Sequence, residues 1–217
     1  MLSFTEDILL LLLVEEGGTA AQVQRPALAC AFAGAVLMDL AFANRIDTDP
    51  ATVFVVDRTP IGNPVLDRVL AMIERTEEAM DARAWIGALS EREAQIAREL
   101  TTLSLVRRGI VSLPDDSFNW ARVASRLNPV VDHAARRDVR MRVRGALFSD
   151  DIPAPRDAAL IGLVDACGIF GGIFPDQDIE EFRPRVEMLR GMELITREIP
   201  GAISDIENGV RHLAATP

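Results

Sequence analysis

Residues 27–43, ALACAFAGAVLMDLAFA, are apolar at nearly every position and hold a single charge, Asp39. Pro26 stands at a first helical position ahead of them, where its missing N–H costs nothing. A helix that is apolar all round has no face to offer to water, so it must lie at the centre with other elements packed around it. That requirement predicts a mainly α fold: one globular helical domain over residues 1–217, with a buried central helix and a few short strands, including a β-hairpin. The chain is long enough for this. Its 217 residues are 49% hydrophobic and 26% charged, and a domain of that size buries roughly 70% of its unfolded surface without help from a disulfide or a metal. Cys30 and Cys167 form no C-x-x-C pair, and the two histidines, His133 and His212, are 79 positions apart. Zinc, haem-attachment and disulfide frameworks are excluded on that spacing, and both cysteines read as small buried hydrophobes.

Around the central helix the pattern predicts further elements. Residues 3–15 read as a helix capped by Thr5, with Glu6 and Asp7 at its positive end and Gly17-Gly18 closing it. Residues 52–56 read as a strand, bounded by Pro50 and a turn at 60–64, and 65–80 as an amphipathic helix with Leu66, Val69, Leu70 and Ile73 on one face. Ser90-Glu91-Arg92-Glu93 fits a capping box that starts a helix running to Arg108, where Gly109 can take a left-handed conformation. Strands are expected at 110–113 and 117–123 around Pro114-Asp115-Asp116. Helices are expected at 130–147, 155–169 and 178–198, the last started or kinked by Pro184. The apolar run 8–14 is seven residues long and flanked by acids, unlike a signal peptide or a membrane span of about 20 residues. The expected location is cytoplasmic, with peripheral membrane association open.

Enzymatic signatures are missing. The chain has no lysine, so no phosphate-cradling G-x-x-x-x-G-K-[ST] loop can exist, and neither G-x-G-x-x-G nor G-x-S-x-G occurs. The arginine-for-lysine bias reflects a GC-rich, bacterial genome. Gly168-Ile169-Phe170-Gly171-Gly172 reads as a helix end and packed turn. His133 reads as a helix-start residue without a nucleophile beside it, and the adjacent acids Asp150-Asp151 and Glu180-Glu181 as surface charge. No catalytic residue, metal ligand or cofactor is expected.

Charge is unevenly spread. The chain carries −10 overall, which argues against a nucleic-acid coat. Residues 117–148 nevertheless hold Arg122, Arg126, Arg136, Arg137, Arg140, Arg142 and Arg144 against Asp132 and Asp138, a segment of +5 in a remainder of −15. These arginines are candidates for a surface that meets an anionic partner, either lipid headgroups or nucleic acid, with Phe118 and Trp120 at the start of the segment in the expected strand. A solvated helix face with two core aromatics is the alternative.

The order of several blocks resembles the Golgi phosphoprotein 3-like family: SFTEDILLLLL at the start, GAVLMDLAFANRI (34–46), TPIGNPVLDRVLAMI (59–73), AWI (84–86), and REL with LVRRGIV (98–111). The resemblance covers residues 2–130 most fully. It implies a mainly helical, non-enzymatic peripheral adaptor that binds phosphatidylinositol 4-phosphate through a tryptophan and several arginines, and a β-hairpin that approaches the membrane, here from Phe118 onward with Phe118 and Trp120 as its candidate membrane residues. Carried over, those headgroup positions fall on Gln24, Ala33, Gln95 and Arg98. Arg98 alone keeps the family's residue, and one guanidinium fork cannot surround a phosphate carrying about two charges. Selectivity for that lipid is therefore not expected. A winged-helix DNA-binding module, since LVRRGIV followed by short strands fits one, and a metabolite-binding protein or enzyme with an unrecognised pocket stay as alternatives.

Overall fold

Ser3 is extended and accepts from the Glu6 N–H while the Glu6 carboxylate accepts from the Ser3 N–H, a capping box that starts α1 (Phe4–Leu12). Ser3, rather than Thr5, is thus the cap. Thr5 lies in the first turn, and both its N–H and its hydroxyl donate to Asp39. The computed structural model describes residues 2–13, 25–112, 130–131, 133–168, 170–174, 177–192 and 194–214.

The central helix is α2 (Arg25–Phe42), buried without interruption from Cys30 to Leu40. Burial pushes the Cys30 thiol up to about 11. By length and a mean hydropathy of 1.5, α2 could cross a membrane, but 61% of it is buried against its neighbours, as a core helix requires. The short strands β1 (Ile46–Thr48) and β2 (Val53–Val55) follow, antiparallel with Ile46 opposite Val55. The sequence signalled β2 but not β1, whose three residues are too few and too polar to show a period. Next comes α3 (Pro64–Arg75), capped by Asn63, while the Asp67 carboxylate accepts from the Ile61 and Gly62 N–H groups. It ends five residues before the expected 80, because Thr76 turns extended and the Met80 carbonyl accepts from the Val53 N–H beside β2.

Helix α4 (Ala82–Leu89), capped by Asp81, buries Trp85 and Ile86. Ser90 does not start the next helix. It ends α4, donating its hydroxyl to the Gly87 carbonyl, and α5 (Arg92–Arg107) begins from Glu91 without a side-chain cap. The physical reason is Glu93: its carboxylate is buried and paired with Arg68 of α3 at 2.9 Å, so it cannot reach back to close a capping box. Gly109 takes the left-handed conformation at φ 69°.

Strand β3 (Val111–Ser112) pairs antiparallel with β4 (Val130–Val131). The expected strand at 117–123, with its turn, lies outside the described residues, as does the Gly17-Gly18 stop. Helices α6 (His133–Phe148) and α7 (Pro155–Cys167) come next, the latter ending at left-handed Gly168, then α8 (Phe170–Ile173). Phe170 and Phe174 are buried, consistent with a helix end and packed turn. The expected 178–198 helix is divided: a 3-10 turn (Ile179–Phe182), α9 (Arg183–Arg190) with Pro184 in its first turn, a break at Gly191, and α10 (Leu194–Ala214).

Helix α2 packs against α1, α3, α4, α5, α7 and α10, and the buried core runs continuously from Phe4 to Ala202. Two glycines admit α10. A Cβ on Gly34 of α2 would stand 2.8 Å from Ile199 Cδ1, and one on Gly162 of α7 only 2.6 Å from Thr196 Cβ.

Candidate functional site

The polar centre of the molecule joins α1, α2, α6 and α7. Asp7 is fully buried. Its carboxylate accepts from Arg142 on α6 at 3.1 to 3.2 Å and from Arg156 on α7 at 3.2 Å. Arg142 also donates through Nε to Asp157 at 2.9 Å, and Arg156 donates to the Leu2 carbonyl and lies 3.9 Å over the Phe4 ring. Asp39, the lone acid of α2, accepts from the Phe4 N–H at 2.7 Å and from Thr5. Burial raises the Asp7 carboxyl and pushes Asp39 up to about 6, against the pull of those donors and of Arg156. This network pins the start of α1 to three helices. The sequence reading missed it, although a single acid in an otherwise apolar helix was its signal.

The five described arginines of the anionic-surface group are not all exposed on one face. Arg122 and Arg126 lie outside the described residues, with Phe118 and Trp120. Of the five on α6, Arg142 is held by Asp7 and Asp157, Arg136 is buried, and Arg140 donates to the Ile173 carbonyl. The helix buries Val139, Val143, Ala146 and Leu147, so arginines flanking that apolar side are drawn into folded-state contacts. Arg137 and Arg144 remain exposed. With Met141, 65% exposed, they form a stripe at i, i+4 and i+7. Asp138 is exposed beside it, and the Arg144 guanidinium lies 5.6 Å from the Phe148 ring centroid.

The carried-over headgroup positions are placed as follows. Gln24 is outside the described residues. Ala33 is fully buried in α2 and offers only a methyl group. Gln95 is exposed and donates to Glu99 at 2.9 Å, and one turn on, Arg98 has a buried Nε without a hydrogen-bond partner. On the opposite side of α5, a cleft of about 400 Å³ opens between α1, α3 and α5, lined in part by Asn63, Leu66, Leu100, Ser104, Arg107 and Arg108. Ala33, Gln95 and Arg98, the described headgroup positions, do not line it. Among the described residues no group of three His, Cys, Asp or Glu side chains could hold a metal ion.

Comparison with curated proteins finds no match. The family model described as Golgi phosphoprotein 3 (GPP34) matches residues 4–206, a span that starts at the first residue of α1 and runs into α10, through the buried centre and both sides of α5. The chain belongs to the Golgi phosphoprotein 3 (GPP34) family.

Proposed function

We propose that the whole chain is one non-enzymatic, adaptor-type domain that meets an anionic membrane surface peripherally, at the cytoplasmic face, through the exposed stripe of α6. The observation that carries this reading is the pairing of Arg137 and Arg144 around an exposed Met141 on one helix face. Family membership supports the adaptor kind of protein. Each basic residue near an anionic surface contributes on the order of 1 kcal/mol, so two exposed arginines give weak, salt-sensitive attachment, and the −10 chain must turn its acidic remainder away.

Selectivity for phosphatidylinositol 4-phosphate is not part of the reading, because Ala33 and Gln95 supply no positive charge beside Arg98. Liposome flotation at low salt, comparing that lipid with phosphatidylserine at matched charge, tests this. Equal recovery with both, and less with neutral vesicles, is the expected result; a clear preference for the phosphoinositide, or equal recovery with neutral vesicles, overturns it. Duplex DNA is not an expected partner, since Glu91 ahead of α5 and Glu93 and Glu99 within it offset Arg92 and Arg98 and leave the segment nearly neutral. A low-salt mobility shift should show no complex.

A further inference from the structure

Most exposed arginines of an acidic chain are expected to find carboxylates, and the cleft between α1, α3 and α5 departs from that expectation. Its charged lining is Glu6, Arg107 and Arg108, a local charge of +1 in a chain of −10. Glu6 is fully used: Oε2 accepts from the Ser3 N–H, and Oε1 from the Ser104 hydroxyl at 3.3 Å and from Arg108 at 2.6 Å. The last two turns of α5 therefore already hold one carboxylate against a serine and an arginine. Arg107 stands beside them with no ion-pair partner among the described residues, and Arg108, its side chain 46% exposed, keeps further guanidinium donors. The helix ends that open on the cleft are not the source of its charge preference, since Asn63 caps α3 and Ser3 caps α1.

The uncharged lining is mixed: Ser3, Thr5, Asn63, Thr101 and Ser104 are polar, and the remainder is apolar. Val36, Val65 and Leu66 form the floor side, and Leu100 is left 36% exposed on the α5 wall. A cleft of about 400 Å³ falls in the lower part of the roughly 300–1,000 Å³ typical of small-ligand sites, which combine an apolar lining with a few polar anchors.

We propose that this cleft binds a small amphipathic anion, its carboxylate or phosphate on Arg107 and the free donors of Arg108 and its apolar chain along Leu100 and Leu66. Charge-assisted bonds from a guanidinium set the orientation, and the apolar chain supplies the area removed from water. The site lies on α5, apart from the α6 stripe, and does not depend on membrane attachment.

Titration calorimetry on the full chain tests it, with octyl phosphate below its micelle-forming concentration as the probe. Inorganic phosphate, octanol and an octyl trimethylammonium salt are the comparisons. Octyl phosphate should bind, and each comparison should bind at least about tenfold more weakly. Arg107→Ala, at an exposed position, should weaken octyl phosphate by about tenfold without moving the unfolding midpoint. Leu100→Asp should weaken it as well, while Arg92→Ala, on the first turn of α5, should leave it unchanged. Phosphatidic acid vesicles in place of octyl phosphate separate the two sources of such an anion: Arg107-dependent binding there assigns it to a bilayer lipid, and Arg107-dependent binding of octyl phosphate alone assigns it to a soluble amphiphile. Octanol or the ammonium salt binding as tightly as octyl phosphate, an unchanged affinity in Arg107→Ala, or no binding of octyl phosphate would overturn the proposal.

Discussion

The two sides of α6 carry arginines of the same chemistry with opposite fates. On the inner side, Arg142 faces α1 and α7 and is locked between Asp7 and Asp157, while Arg140, at the other edge of the apolar side, donates to the Ile173 carbonyl of α8. On the other, Arg137 and Arg144 face water around Met141. A count of seven arginines in 117–148 describes a cationic segment, but the folded helix divides its described part into an internal strut and a narrow external stripe. Net charge along a sequence is therefore a poor measure of the surface it becomes, because burial of the apolar stripe of the same helix decides which charges stay outside.

Removing the strut should have the largest effect. Arg142→Leu leaves the fully buried Asp7 with Arg156 as its remaining cation, and breaking a buried pair in this way costs about 3–5 kcal/mol. Urea unfolding should show that loss; a shift of a few tenths of a kcal/mol would mean that the two sides of α6 differ less than their geometry implies. Double substitution with Asp7→Asn should recover part of it, since the uncompensated charge is gone.

A second test separates interior from exterior by pH. Burial holds the Asp39 carboxyl at about 6 against an ordinary 3.8. In the window between those values the native state binds the proton more tightly than the unfolded chain, so unfolding releases it and stability falls as pH rises. The contribution lost is about 3 kcal/mol, complete above the folded value. Asp39→Asn keeps a neutral side chain at every pH, so its stability deficit relative to the wild type should shrink by that amount between pH 4 and pH 7. A deficit independent of pH would show that Asp39 is ionised throughout. Smaller again is Gly162→Ala, where a Cβ placed 2.6 Å from Thr196 Cβ forces α10 and α7 apart at about 1–3 kcal/mol, readable as a lowered Tm. A wild-type Tm would mean that α10 shifts freely.

The sequence revealed most where local chemistry acts alone. The all-apolar run of α2 announced a central helix, Gly109 and Gly168 marked helix ends by their left-handed backbone, and Pro184 marked the first turn of α9. It misled where a side chain is claimed by a distant partner. Glu93 had the spacing of a capping box with Ser90, but Arg68 holds it. Arg142 had the look of surface charge, but Asp7, 135 positions earlier, holds it. The cleft was illegible for the same reason: Glu6 and Arg108 meet across 102 positions, and no local period encodes that meeting. Of the headgroup positions carried over by resemblance, Ala33 could be read as a loss of charge from the sequence, but its complete burial could not.

The stripe itself gives the smallest effect on stability and the most direct test of the account. Arg137→Glu combined with Arg144→Glu changes two exposed side chains, so the unfolding free energy should stay within about 0.5 kcal/mol of the wild type. Sedimentation of both proteins with phosphatidylserine vesicles, from low to physiological salt where the screening length falls to about 8 Å, is the deciding measurement. The account predicts wild-type binding that declines steeply with salt and a double variant that stays in the supernatant at every salt concentration. Equal sedimentation of the two proteins, or wild-type binding indifferent to salt, would contradict it.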